Sequence, residues 1–173
     1  MSVDEAAVRT RTITWQDPVP GAKAGARMSG LDYLRAMAAG ELPPPPMLIT
    51  MGMGVAEVEE GRVVFFVEPD EYHYNPIGAV HGGLAATMAD SAMGCAVHST
   101  LPGGAGYTTL EFKINFVRPL TRDTGRVLCE ARTIHVGGRV ATAEARVTDA
   151  EGRLYAHATT TCMVFRPGAE KGG

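Results

Sequence analysis

The stretch from His81 to about Ser99 constrains this chain more than any other. Its body, Leu84-Ala85-Ala86-Thr87-Met88-Ala89-Asp90-Ser91-Ala92-Met93-Gly94-Cys95-Ala96-Val97, holds no lysine, arginine or glutamate, and Asp90 is its single acid. A helix that is apolar all round has no face to offer water, so it must be buried. Its small residues allow neighbouring backbone to approach closely, which suits a sheet wrapped around it.

The flanking sequence reads as that sheet. From Leu48 the period changes to two, with Val55, Glu57 and Glu59 on one side and Ala56 and Val58 on the other. Glu60-Gly61-Arg62 then reads as a hairpin turn into a second strand, Val63 to Glu68. Pro69 to Val80 is an irregular loop carrying the turn signal Asn75-Pro76. Beyond the helix, Leu110, Phe112, Ile114 and Phe116 alternate with Glu111, Lys113 and Asn115 up to Arg118-Pro119. Val127 to Val136 follows, with a break at Gly137-Gly138. In Arg139 to Thr148, Ala141, Ala143, Ala145 and Val147 oppose Thr142, Glu144 and Arg146, and a turn at 149–152 leads into Leu154 to Phe165. Two strands, a buried helix and four more strands specify an α+β layer protein with an antiparallel sheet. One helix covers one sheet face and leaves edges open, so pairing between copies is expected.

The N-terminal region differs in character. Residues 1 to about 28 lack periodicity and read as an extended arm, with Trp15 available to pack on a partner chain. Ser29 is placed to cap a short helix whose apolar positions are Leu31, Leu34, Met37 and Ala38. Gly40 and the run Pro43 to Pro46 end that helix and form a stiff connector. The expected organisation is an arm, short helix and proline linker over 1–46, one domain over 47–166 and a frayed tail over 167–173. A length of 173 residues accommodates a single such domain.

Composition removes several function classes. The net charge of −3 and the lack of a Lys/Arg cluster argue against nucleic acid as a partner. No apolar run approaches the ~20 residues of a membrane helix, and the acidic Met-Ser-Val-Asp-Glu start lacks the apolar core of a secretory signal. Cys95, Cys129 and Cys162 are isolated and odd in number, which reads as buried thiols in a reducing cytoplasm. The five histidines, at 73, 81, 98, 135 and 157, show no metal-ligand spacing. Gly52-x-Gly54 lacks the third glycine of a dinucleotide motif, and neither a G-x-S-x-G elbow, a P-loop nor H-E-x-x-H is present. No cofactor is implied.

Chemistry concentrates in Asn75-Pro-Ile-Gly-Ala-Val-His81-Gly82-Gly83 and in Asp90. A helix start presents unpaired N–H groups and a partial positive charge. Two glycines there let a carbonyl oxygen approach the backbone, the arrangement that polarises an ester or thioester. On its own, His81-Gly82-Gly83 reads first as a glycine-eased helix start with a capping histidine. Asp90 shifts that balance, because a lone acid in an apolar helix demands either a structural partner or a role as base or nucleophile. His81 and Asp90 lie nine residues apart, hence on opposite helix faces and ~13 Å apart along the axis. If both act, the helix start of one subunit meets the Asp of its two-fold mate.

At these residues the sequence resembles the hotdog-fold acyl-CoA thioesterases, in the PaaI-like (phenylacetyl-CoA thioesterase-like) branch. The resemblance spans roughly Gly52 to Phe165. Its carriers are Asn75, His81-Gly82-Gly83, Asp90 and Leu110-Glu-Phe-Lys-Ile-Asn-Phe-Val-Arg-Pro119. It implies an antiparallel sheet around one long helix, paired into homodimers and dimers of dimers. It also implies hydrolysis of an aryl- or medium-chain acyl-CoA to free acid and CoA, without metal or cofactor.

By position, Asp90 corresponds to the catalytic carboxylate, Gly82 to the carbonyl-polarising N–H with Gly83 beside it, and Asn75 to a holder of carbonyl or water. His81 would support the loop, and Thr109 would orient water near the carboxylate. Asp90 and Thr109 would come from the chain opposite Asn75 and Gly82. Glu111 and the Val136-Gly137-Gly138-Arg139 junction correspond to substrate-binding positions, with Arg139 a partner for the CoA phosphates. A non-catalytic acyl-CoA sensor is the alternative, although the chain offers no obvious output element. A hotdog dehydratase is disfavoured by Asp90 standing in place of a His/Glu pair.

Overall fold

The structure, a computed structural model, describes residues 7–166. One sheet of six antiparallel strands runs in the order β1-β2-β4-β5-β6-β3. Its strands are β1 Met53–Glu59, β2 Arg62–Val67, β3 Gly106–Phe116, β4 Val127–Val136, β5 Val140–Asp149 and β6 Leu154–Phe165. The helices are α1 Pro18–Gly25, α2 Gly30–Ala38, α3 Pro46–Met51 and α4 Gly82–His98. The sheet curls around α4, which packs on β2, β3, β4, β5 and β6.

Small residues set that packing. Ala89, Ala92 and Ala96 of α4 and Ala141 and Ala143 of β5 are all fully buried. Met88, Met93 and Val97 fill the remaining space against Val63, Phe65, Val127 and Val147. Full burial of a Met or Val side chain contributes about 1.5–3 kcal/mol. As expected from its alternation, β5 buries Ala141, Ala143, Ala145 and Val147, and β4 and β6 match their expected bounds. At the β5–β6 turn, buried Asp149 accepts hydrogen bonds from the Glu151 and Arg153 N–H groups and from the Tyr155 hydroxyl.

Four local departures have identifiable causes. Residues 18–25, read as extended, form α1: Pro18 opens the helix and the Asp17 carboxylate accepts from the Val19 N–H at 2.9 Å. This helix buries Gly21 and Gly25, so it leaves no apolar periodicity in the sequence. The proline run is a connector only as far as Pro45, since Pro46 opens α3, and strand pairing begins at Met53 rather than Leu48. A bulge between Val55 and Glu57 breaks the alternation of β1, so that Val55 and Val58 both pack on the core. In β3, Leu110, Phe112 and Phe116 remain 53%, 37% and 56% exposed, because α4 covers this edge strand only in part.

The N-terminal elements are docked on the sheet domain. Ser29 caps α2 by accepting from the Asp32 N–H at 3.1 Å, and Leu34 and Met37 enter the main core. Trp15 is 59% exposed on this protomer.

Two stability predictions arise from this core. Met93→Ala removes a fully buried side chain at the helix–sheet contact and should cost about 2–5 kcal/mol, read from urea unfolding midpoints. Burial lowers the pKa of both His73 and His98 below the ordinary histidine value. Their neutral forms are therefore favoured in the folded state, and their contribution is present above about pH 6.5 and lost as pH falls through the folded values. Unfolding free energy should decline below about pH 6.5, and the decline should flatten in a His73→Gln, His98→Gln double variant.

Candidate active site

The loop before α4 is held by backbone and side-chain bonds that aim the helix start. Tyr74 pairs with Val80 across it. Asn75 Oδ1 accepts from the Ile77 N–H at 3.0 Å and the Ala79 N–H at 3.2 Å, which turns the loop tip. Among the described residues the Asn75 amide nitrogen has no partner, and it borders a cavity of about 440 Å³ shared with Gly82, Phe116 and Tyr155.

His81 is the cap of α4: its Nδ1 accepts from the Gly83 N–H at 2.8 Å, and its carbonyl accepts from Leu84 N–H. A Cβ on Gly83 would stand 2.7 Å from that Nδ1, so the cap requires glycine there. With Gly83 and Leu84 engaged, the Gly82 N–H is left without a partner among the described residues. The Phe116 ring lies 3.1 Å from where a Cβ on Gly82 would be, so a glycine also keeps this cavity open.

His73, which the sequence did not single out, fixes this loop from behind. Its backbone carbonyl accepts from the His81 N–H at 2.7 Å. Its ring Nδ1 accepts from the Asp70 N–H at 3.0 Å, and Nε2 donates to the Met51 carbonyl at 3.0 Å. The Asp70-x-x-His73 spacing of a capping box is the one local signal for it; only the fold brings Met51 to its ring and His81 to its carbonyl.

The second group lies two helical turns further on. The Thr109 hydroxyl donates to Asp90 Oδ1 at 2.9 Å. A bulge in β3 between Thr109 and Glu111 sits beside this pair. Cys95 is close by, but burial, reinforced by the Asp90 charge, pushes its thiol up to about 12. It therefore keeps its proton and is no nucleophile.

Gly82, Gly83, Ala86, Thr87, Asp90 and Ser91 form a partly uncovered stripe on α4, whereas Leu84, Ala85, Met88, Ala89, Ala92 and Met93 face the sheet. Eight residues of helix separate Gly82 from Asp90, or ~12 Å of rise. The cavity at Gly82 accordingly does not include Asp90. Within one protomer the two groups stand apart.

The remaining candidates fall at the Asp90 end of the sheet. Val136 to Arg139 make the β4–β5 turn, where Gly137 N–H donates to the Val140 carbonyl at 2.8 Å. Val140 pairs with Met163, which pairs with Thr108, so this turn lies two strands from Thr109. Arg139 is exposed, as is Glu111 on the sheet edge, and the Glu111 carbonyl accepts from the Thr160 hydroxyl. Neither side chain reaches the Asn75–Gly82 cavity. Among the described residues, no three His, Cys, Asp or Glu side chains gather as a metal site.

This sequence and this fold match known proteins. The model of the thioesterase superfamily matches residues 77–156. A candidate esterase of Halobacterium salinarum is 31% identical over 131 residues, covering 69% of this chain and 85% of its own. The 1,4-dihydroxy-2-naphthoyl-CoA hydrolase of Listeria monocytogenes is 26% identical over 115 residues, covering 66% and 92%. A crystal structure from Ralstonia eutropha, a candidate thioesterase related to phenylacetic acid degradation, superposes with a TM-score of 0.69 at 31% identity over 76% of this chain and 98% of that one. Sequence and fold agree: the chain belongs to the thioesterase superfamily, a family of thioester hydrolases.

Proposed function

We propose that this protein hydrolyses the thioester of an aryl- or medium-chain acyl-CoA to free acid and CoA, in a homodimer whose active sites join two subunits. The observation that carries the reading is the unpartnered Gly82 N–H at one point of the α4 stripe and the Thr109-bound Asp90 at another. In an antiparallel two-fold crossing of two α4 helices, residue numbers in contact have a constant sum. Centring the crossing between Ala86 and Thr87, where the stripe is small, opposes Gly83 to Asp90. The exposed inner face of β3, with Phe112 and Phe116, is the surface such a partner would cover. The assembly extends to a dimer of dimers, and the protein acts in the cytoplasm.

In that arrangement the thioester oxygen accepts from the Gly82 N–H, with the Asn75 amide nearby for carbonyl or water. Asp90 of the facing chain takes a proton from a water oriented by Thr109, and the water oxygen bonds to the carbonyl carbon. The oxyanion is stabilised at the positive end of α4. Its collapse breaks the C–S bond, and the leaving thiolate takes the proton held by Asp90. Arg139 and Glu111, at the Asp90 end of the sheet, would contact the CoA moiety. Direct attack by Asp90 is the covalent variant of the same site: an Asp90 oxygen bonds to the carbonyl carbon, and the C–S bond breaks to release CoA. Water attacking the Asp90 carboxyl carbon of the resulting mixed anhydride would leave labelled oxygen in Asp90 after one turnover.

Asp90→Asn should lower kcat by about 100-fold or more with little change in KM, measured by thiol release from phenylacetyl-CoA and octanoyl-CoA. Full turnover in that variant would remove Asp90 from the mechanism. Tight acyl-CoA binding by the wild-type protein without any thiol release would instead favour the sensor reading. The shared site has its own test. Asp90→Asn and Gly82→Val chains, each inactive alone, should regain activity when refolded together, because the mixed dimer contains one intact site. Failure of the mixture to regain activity, with mixed dimers present by mass, would refute a site that pairs Gly82 of one chain with Asp90 of the other.

A further inference from the structure

On the Gly83 side of the α4 start lies a second cavity, of about 610 Å³, within the range of small-molecule pockets. Its floor is Gly83 and Thr87, and these continue along one helix face to Asp90 at the i, i+4, i+7 spacing. Met51, Tyr72 and Tyr74 line it, together with Arg11 and Ile13 of the N-terminal segment. No carboxylate lines it. The guanidinium of Arg11 is committed elsewhere: it donates to the Thr50 and Ile49 carbonyls at 2.9 and 3.1 Å and stacks on Tyr72 at 3.9 Å. Arg9 pairs with Glu71 at 2.8 Å and pins the same segment.

Resting on the hydrolase reading above, we infer that residues 9–13 are the outer wall of the acyl pocket and that Ile13 sets the size of acyl group accepted. An uncharged hydrocarbon or aryl group fits the lining. From a carbonyl held at the helix start, it would run past Gly83 and outward beneath Ile13, away from the helix crossing at Ala86 and Thr87. Arg11 acts as a positioning residue, holding that wall to the end of α3.

The test is the acyl-length profile from acetyl- to dodecanoyl-CoA, together with binding of octyl-CoA, a thioether that cannot be hydrolysed. Ile13→Trp should reduce kcat/KM for octanoyl-CoA and weaken octyl-CoA binding by about tenfold or more, while acetyl-CoA changes far less. Ile13→Ala should shift the preferred acyl length upward. Arg11→Ala should raise KM for the longer substrates and leave kcat nearly unchanged. Val8→Trp, on the same segment but outside the cavity, should change nothing. A uniform loss across all lengths in Ile13→Trp would overturn the inference, and so would a profile altered by Phe116→Ala but not by Ile13→Trp. Octyl-CoA binding that responds to Ile13→Trp in a protein without turnover would sustain the pocket and sink the hydrolase reading.

Discussion

Everything in this molecule depends on burying a helix that carries almost no charge. With alanine, glycine and methionine around most of its circumference, α4 is stable only inside a sheet, and alanine set against alanine on β5 lets that sheet come close. The same contact exhausts what one sheet can cover. Curling around α4 leaves β3 at the rim with aromatic side chains on its inner face, and it leaves one narrow stripe of the helix bare. That stripe is made of small residues plus one acid, so it can accept a second helix at short range.

The rigidity of α4 then dictates how chemistry is organised. A hydrogen-bonded helix holds its start and a residue two turns on at a fixed separation of ~12 Å. A thioester carbonyl spans a small fraction of that distance, so no rearrangement within one chain brings the Gly82 N–H and Asp90 to the same atom. In the proposed dimer, two-fold symmetry would resolve this without moving either group, since an antiparallel mate would offer its own Asp90 where the first chain offers Gly83. Thr109 supports the same economy of motion. Its hydroxyl already engages Asp90 in the isolated protomer, so the carboxylate is oriented before any partner or substrate arrives.

What the sequence disclosed follows from which interactions are local. The bounds of β4 and β6, and the buried face of β5, were legible because their apolar residues alternate against a single buried face. The start of α4 was legible because capping by His81 acts over two residues. Helices α1 and α3 were not, since one buries only glycines and the other is six residues opened by a proline. The bulges of β1 and β3 leave no compositional mark, and they decide which residues face inward. His73 was missed for a different reason: its local bond to Asp70 closes a single turn, and its other partners, Met51 and His81, are brought to it only by the folded chain.

The two sides of the helix start also differ in how firmly they are built. On the Gly82 side, the loop is tied by backbone bonds from His81 to His73 and from Val80 to Leu120, both to well-packed segments. The wall formed by residues 9–13 is tied by an exposed Arg9–Glu71 pair, worth about 0–1 kcal/mol, and by Arg11 on the last carbonyls of a short helix. Segments held this way open locally at far lower cost than the global unfolding free energy. An oxyanion donor must not move during the reaction, whereas an acyl chain must enter and leave with every turnover. The two proposed roles match that need: the group that would polarise the carbonyl is fixed by the core, and the wall that would sense the acyl chain is attached from outside it.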